Sequence, residues 1–109
     1  MERKMDYKDV LFRIGYFRNK NNLSCRETSL RLGASQSYMN RIERQVMEIK
    51  VSTLLDFMDI VNVSPQEFFY PKPENYQKDK EIFDAIQKLS ADDKDAILNL
   101  ANKLNKSSK

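Results

Sequence analysis

A group of amide, hydroxyl and guanidinium side chains follows the glycine at position 33. It comprises Gln36, Ser37, Asn40, Arg41 and Arg44. In a helix this spacing places the polar groups on an outer side, while Met39 and Ile42 lie three apart on an apolar inner side. Amide and guanidinium groups pair with base edges, and hydroxyl and guanidinium groups bind phosphates. The pattern favours contact with a nucleic acid, although an ordinary solvated helix face has the same pattern.

Other kinds of site chemistry find little support in the sequence. Histidine is absent, no glycine-rich phosphate loop is present, and no Cys or His pair has metal-ligand spacing. Asp92, Asp93 and Asp95 stand beside Lys94 at a predicted helix start, where carboxylates favour the helix dipole. We therefore expect a protein that is not an enzyme and that has no catalytic residues, no metal and no cofactor.

The charge is unevenly distributed along the chain. Residues 1–50 carry 11 Lys and Arg against 6 Asp and Glu, a net charge of +5, whereas residues 51–109 carry 8 against 10, a net charge of −2. All seven arginines lie within the first 44 residues. Because arginine suits phosphates and guanine edges, we expect a polyanion to bind the first half. A solvated basic surface is the alternative interpretation.

Length and composition indicate one soluble domain with a short appendage. The chain has 109 residues, of which 40% are hydrophobic and 32% charged. No run is long and apolar enough for a membrane span, and the first residues lack the apolar core of a signal peptide. The single cysteine, Cys25, cannot form an internal disulfide. We expect a cytoplasmic protein.

Hydrophobic spacing and capping residues predict helices throughout the first half. The first helix is expected over 6–20, with an apolar stripe of Val10, Leu11, Ile14 and Phe17. Ser24 and Glu27 have the spacing of a capping box and begin the second helix, which runs to about Leu32. Gly33 is expected to end it in the left-handed conformation, and Ser35 to cap the third helix.

The second half continues the helical pattern. Ser52 is expected to cap a helix with an apolar side of Leu54, Leu55, Met58 and Val61. Ser64, Pro65 and Glu67 form a second helix start, followed by Phe68 and Phe69, which we expect in the core. The alternative for these two rings is an exposed dimer patch. After "PKPEN", two amphipathic helices are predicted over 76–89 and 91–105, the second with Ser90 as its cap.

The segment "LSCRETSLRLGASQSYMNRIERQ", residues 23–45, resembles the helix-turn-helix of the lambda-repressor-like, or XRE, family of DNA-binding proteins. The matching positions are Leu23, Ser24, Glu27, Leu32, Gly33, Ser35, Arg41, Ile42 and Glu43. Residues 51–69 and the "FR" at 17–18 resemble other helices of that family, so the resemblance covers about residues 6–70. It implies an all-α fold. Residues 1–70 would be a five-helix DNA-binding domain, 71–75 a Pro-containing linker, and 76–109 a C-terminal two-helix extension.

The sequence departs from the family pattern at several positions. Thr28 stands where an apolar core residue is usual, which raises the question whether Leu30 fills that space. Ser29 replaces an alanine and Cys25 a glutamine. Gln45 replaces the glycine that ends the third helix, so that helix is expected to run on or to end without a left-handed cap.

The resemblance assigns roles to residues of the third helix and its surroundings. Gln36, Ser37, Asn40 and Arg41 would read bases, with Tyr38 in a secondary role on DNA. Phosphate contacts would come from Cys25, Arg26, Ser35 and Arg44. Arg18 and Glu43 would form a structural salt bridge between the first and third helices. For Cys25, a redox-sensor hypothesis competes with the simpler one of a small residue near the DNA backbone.

These observations predict a DNA-binding transcription regulator, with repression resting on family analogy alone. Its partners would be double-stranded DNA and a second copy of the chain, forming a homodimer on a palindromic operator. The alternative is a protein-interaction regulator, such as an antitoxin-type protein, that grips a protein partner through its C-terminal helices and binds DNA secondarily. Single-stranded RNA binding ranks last, because the aromatic residues mostly follow core spacing.

Overall fold

The fold of the chain is all-helical over residues 4–107, the part that this computed structural model describes. Those residues form seven α-helices and no strand. The helices are α1 (Tyr7–Lys20), α2 (Cys25–Arg31), α3 (Tyr38–Glu43), α4 (Val51–Ile60), α5 (Pro65–Phe68), α6 (Tyr76–Gln87) and α7 (Ala91–Ser107). A 3-10 turn at Pro73–Asn75 precedes α6. None of the helices in the described range has the length and apolar character that a membrane crossing requires.

The described part of the chain divides into two compact units, with the boundary between Pro73 and Glu74. The division falls within the segment 71–75 that the sequence marks as a linker. The first unit holds α1 to α5, and the second holds α6 and α7.

The first unit is built around one apolar core. The rings of Phe17 and Phe68 stack at its centre, with centroids 5.7 Å apart, and tie α1 to α5. The buried apolar residues come from α1, α3, α4 and α5 and from the loops, while α2 contributes the buried polar residues Thr28 and Ser29. The apolar set is Leu11, Ile14, Phe17, Leu23, Met39, Ile42, Leu54, Phe57, Met58, Val61, Val63 and Phe68. The predicted stripe of α1 is therefore largely confirmed, with Val10 half-buried at its edge.

Side-chain caps define the starts of several helices. Asp6 and Asp9 form a reciprocal capping box at α1. The hydroxyls of Ser24 and Ser64 accept from the amides of Glu27 and Glu67, which confirms both as N-caps.

Four helices end in the same hydrogen-bonded motif. Asn22, Gly33, Gln45 and Asn62 adopt positive φ angles of 57°, 75°, 63° and 55° after α1, α2, α3 and α4. At each end, the amide one residue further on donates to the carbonyl five residues back, as in Val46 to Arg41 at 2.9 Å. This is the Schellman arrangement. It confirms the role of Gly33, and it shows that the expectation for Gln45 was wrong, since α3 does end in a left-handed cap.

Three predictions for α4 and α5 were wrong. The N-cap of α4 is Lys50, with no side-chain cap bond, and Ser52 is an exposed residue inside the helix. Leu55 is exposed, while Phe57 is fully buried together with Leu54 and Met58. Phe57 lies three residues after Leu54 and four before Val61, so it completes the buried face that was assigned to Leu55. Phe69 is also exposed, although its ring meets that of Phe68 edge to face.

In the second unit, α6 and α7 contain no buried residue among those described. The hydroxyl of Ser90 accepts from the amide of Asp93, 3.2 Å away, so the predicted cap of α7 is confirmed. Apolar side chains of both helices, among them Phe83 and Leu104, are exposed.

Candidate nucleic-acid interface

The start of α3 is held by a side chain from α2. The hydroxyl of Ser29, which is fully buried, accepts from the backbone amide of Met39 at 2.9 Å and donates to the carbonyl of Cys25 at 2.7 Å. The expectation that Ser35 caps this helix was wrong. Ser35 is exposed, and its carbonyl accepts from the amide of Tyr38 in a turn that precedes α3. The amide of Met39 is therefore satisfied from α2, and that of Tyr38 from the preceding turn.

Thr28 lies beside Ser29 in the same buried layer. Its side chain is fully buried, and its hydroxyl donates to the carbonyl of Ser24 at 2.9 Å. Leu30 is exposed and does not fill the space that an apolar residue at position 28 would occupy. The hydrogen bond allows a polar residue in the core, because the buried hydroxyl has a partner.

The short helix α3 has a buried face and an exposed face. Met39 and Ile42 are fully buried. Tyr38 is half-buried. The exposed residues are Ser37, Asn40, Arg41 and Arg44, with Gln36 exposed in the turn before the helix. The structure therefore brings the polar groups singled out from the sequence onto one accessible surface.

Two pairs of these side chains contact each other. The Nε of Arg26, on α2, donates to Oε1 of Gln36 at 2.9 Å. On α3, Nη1 of Arg44 donates to Oδ1 of Asn40 at 3.4 Å. Arg41, next to Asn40 on the same helix, is also exposed. The surface thus combines three exposed guanidinium groups with two side-chain amides, a composition suited to phosphates and base edges.

Cys25 has a different environment from the one its sequence position indicates. Its side chain is half-buried, and Sγ donates to Oε2 of Glu43 at 3.6 Å. Burial, and then the negative charge of Glu43, raise the pKa of the Cys25 thiol above its ordinary value. Because the thiol points to a carboxylate, the phosphate contact expected at position 25 is left to the backbone amide at the start of α2, and this contact stays a prediction. A raised pKa also counts against the redox-sensor hypothesis, which needs a thiolate.

Arg18 and Glu43 join α1 to α3. Nε of Arg18 lies 2.8 Å from Oε2 of Glu43, and Nη2 donates to Oε1 at 3.0 Å. Nη1 of Arg18 also donates to the carbonyl of Leu23 at 2.9 Å. The hydrogen bond with Glu43 raises the pKa of Arg18. This two-point ion pair fixes the end of α3 relative to α1.

Arg13 is a structural residue that the sequence interpretation missed. It is buried, and its guanidinium donates to the carbonyls of Phe68 at 2.7 Å, of Tyr70, and of Pro71 at 3.2 Å. It thereby satisfies backbone acceptors at the end of α5, which would otherwise lack helical partners. A signal was present: position 13 lies on the apolar stripe, three residues after Val10 and four before Phe17.

Comparisons with known protein families, with curated proteins and with solved structures found no match to this chain.

Proposed function

We propose that this chain is a sequence-specific double-stranded DNA-binding regulator of transcription. The observation that supports this most is the two-sided character of α3. Met39 and Ile42 anchor one side in the core, while Asn40 and Arg41 project from the other. Because its buried side anchors α3 to the rest of the first unit, the exposed side chains keep a fixed orientation when the helix enters a groove. These exposed groups match the hydrogen-bonding pattern of base edges.

In this proposal α3 lies in the major groove. Arg41 would pair with guanine and Gln36 with adenine, the bidentate matches for their side chains. Ser37 and Asn40 would contact neighbouring bases, with Tyr38 in a secondary position. Phosphates would be bound by Arg26, Ser35 and Arg44, and at position 25 by the backbone amide at the start of α2.

We propose further that α1 to α5 form the five-helix lambda-repressor-like domain that residues 23–45 resemble. The regulator would act in the cytoplasm as a repressor, by occupying its operator and blocking transcription. A homodimer would double the contact set and match a palindromic site with half-sites about 34 Å apart.

The test starts with selection of genomic fragments by the full-length protein, followed by footprinting of the selected site. We expect affinity to fall steeply with salt, because bound phosphates release counterions. Arg41→Ala should relax preference at one base pair, at a cost of about 1–3 kcal/mol. The matched control is Arg31→Ala: Arg31 is also exposed, but pairs with Glu27 on α2 at 3.8 Å. Absence of duplex binding at low salt would refute the proposal.

A second candidate function is a protein-interaction regulator with secondary DNA binding. The exposed apolar residues of α6 and α7, such as Phe83 and Leu104, favour it. Co-purification of the full-length protein with a stoichiometric partner, combined with weak and unselective DNA binding by the chain alone, would support this candidate over the first.

A further inference from the structure

The helix α7 has an apolar stripe that nothing in its own unit buries. Ile97, Leu100 and Leu104 follow each other at three- and four-residue spacing and lie on one face. They are 39%, 52% and 59% exposed. In α6, Ile82 and Phe83 are also exposed. The stripe is long enough to run along a second helix, because its ends are seven residues, or about 10 Å, apart.

The charges of α7 are separated along its length. Asp92, Asp93 and Asp95 stand at its start with Lys94, and Lys103 and Lys106 stand near its end. The stretch between them, residues 96–102, carries no charge. Two such helices side by side repel at both ends when parallel. When antiparallel, the acidic start of each meets the basic end of the other, so the helix is complementary to itself in one orientation only.

We propose that two copies of this chain pair through their α7 helices in antiparallel orientation, along the stripe of Ile97, Leu100 and Leu104. The inference rests on the proposed function in one respect: a two-fold dimer presents the α3 helices of both copies to a palindromic DNA site. We take a second copy as the occupant of the stripe, because the charges at the two ends of α7 are complementary to those of an antiparallel copy.

The apolar surface of the stripe sets the expected strength of this pairing. Burying a half-exposed aliphatic side chain removes on the order of 100 Å² from water. The three residues of the stripe then give roughly 600 Å² over two copies, an area typical of a weak interface, so the pairing is tested at tens of micromolar. The two-fold axis lies near Leu100, where the stripe meets its own copy.

Disulfide exchange in the full-length Cys25→Ser protein tests the orientation. Ala96 and Lys103 lie two helical turns apart on one flank of the stripe. Single variants Ala96→Cys and Lys103→Cys, distinguished by a tag, are mixed in a glutathione buffer. Antiparallel pairing brings position 96 of one copy to position 103 of the other, so we expect the mixed disulfide to exceed each homodisulfide at least tenfold. Dominance of the homodisulfides would show parallel pairing and overturn the proposal.

Sedimentation of the same full-length protein tests the interface itself. We expect a dimer at tens of micromolar that Leu100→Asp converts to monomer. The matched control, Leu98→Asp, changes a neighbouring exposed leucine off the stripe and should leave the dimer intact. A monomer in the unmodified protein, or equal effects of both variants, would overturn the proposal. Duplex binding is measured separately: a dimer that ignores DNA refutes the proposed function and leaves the pairing standing.

Discussion

Arg26 of α2 and Gln36 of the turn before α3 are joined by a hydrogen bond of 2.9 Å from Nε to Oε1. Because the guanidinium Nε can only donate, the bond fixes which end of the Gln36 amide faces Arg26. The Gln36 amide nitrogen is then turned away from Arg26, and both side chains are exposed. Arg26 thus positions the side chain of Gln36 on the candidate nucleic-acid interface.

The first prediction is that Arg26→Ala relaxes base preference at the position read by Gln36, in addition to weakening binding overall. Freed of its partner, Gln36 loses its fixed orientation. The measurement is a double-mutant cycle over a panel of single-base operator variants. We expect Gln36→Ala and the double variant to show the same preference at that position. If Arg26→Ala weakens binding equally for every operator variant, Arg26 acts on phosphate alone.

The second prediction concerns stability: Arg18→Ala should lower the melting temperature more than Arg41→Ala. Arg18 and Glu43 are mostly buried, with side chains 14% and 21% exposed, and removal of Arg18 leaves Glu43 without its partner. Loss of one member of a fully buried pair costs about 3–5 kcal/mol, and the residual exposure here reduces this to about 2–3 kcal/mol. Arg41 is exposed and should change stability by less than about 0.5 kcal/mol. Thermal denaturation followed by circular dichroism gives the order, and the reverse order would contradict the structural role of Arg18.

The third prediction tests which serine, Ser29 or Ser35, caps the N-terminus of α3. Ser29→Ala removes the acceptor of the buried Met39 amide and should cost about 1–2 kcal/mol. Ser35→Ala is the matched control, because the side chain of Ser35 is exposed and α3 has no side-chain cap from its own N-terminal flank. Urea denaturation of both variants provides the comparison. Equal losses would mean that Ser35 contributes to the cap after all.

The fourth prediction is that Gln45→Gly stabilises the protein. Gln45 is exposed and has a φ of 63°, which costs an L-residue about 1–2 kcal/mol and glycine none. The greater freedom of glycine in the unfolded chain offsets part of this, which leaves a gain of about 0.5–1 kcal/mol. Gln45→Ala keeps the Cβ atom and should show no gain. The free energies of unfolding of the two variants decide between these outcomes.

The sequence predicts the helices well where the signal is local. Caps such as Ser24 and Ser90, and the stop at Gly33, depend on residues close in the chain, and the structure confirms them. Some failures are local, such as the left-handed cap at Gln45. The failure at α3 depends on a contact between helices, because the hydroxyl of Ser29 on α2 accepts from the Met39 amide and Ser35 makes no side-chain cap.

At the candidate nucleic-acid interface too, local spacing predicts which residues share a surface but not which distant residues they contact. The alternation of buried and exposed residues along α3 follows from helical spacing, so the sequence is enough to group Asn40 and Arg41 on one surface. The environment of Cys25 depends on Glu43, eighteen residues away, and the role of Arg13 depends on carbonyls more than fifty residues away. The position of Arg13 on the apolar stripe indicates that it is buried but not which carbonyls it binds, and no local pattern indicates the contact of Cys25 with Glu43. The binding roles of the exposed residues stay predictions.

The last prediction concerns Cys25. Its raised pKa means that a smaller fraction is thiolate at a given pH than for an unperturbed cysteine, so alkylation by iodoacetamide should reach half its maximal rate at a higher pH than in a cysteine peptide. Glu43→Gln removes a negative charge beside the sulfur and leaves Arg18 in place, so it should move this midpoint to lower pH. Asp59→Asn, a charge-matched change at an exposed position of α4, should leave the midpoint unchanged.

Mild peroxide should not alter DNA binding, since the protonated thiol is the unreactive form. A midpoint below that of the peptide, or DNA binding lost on oxidation, would restore the redox-sensor hypothesis for this residue.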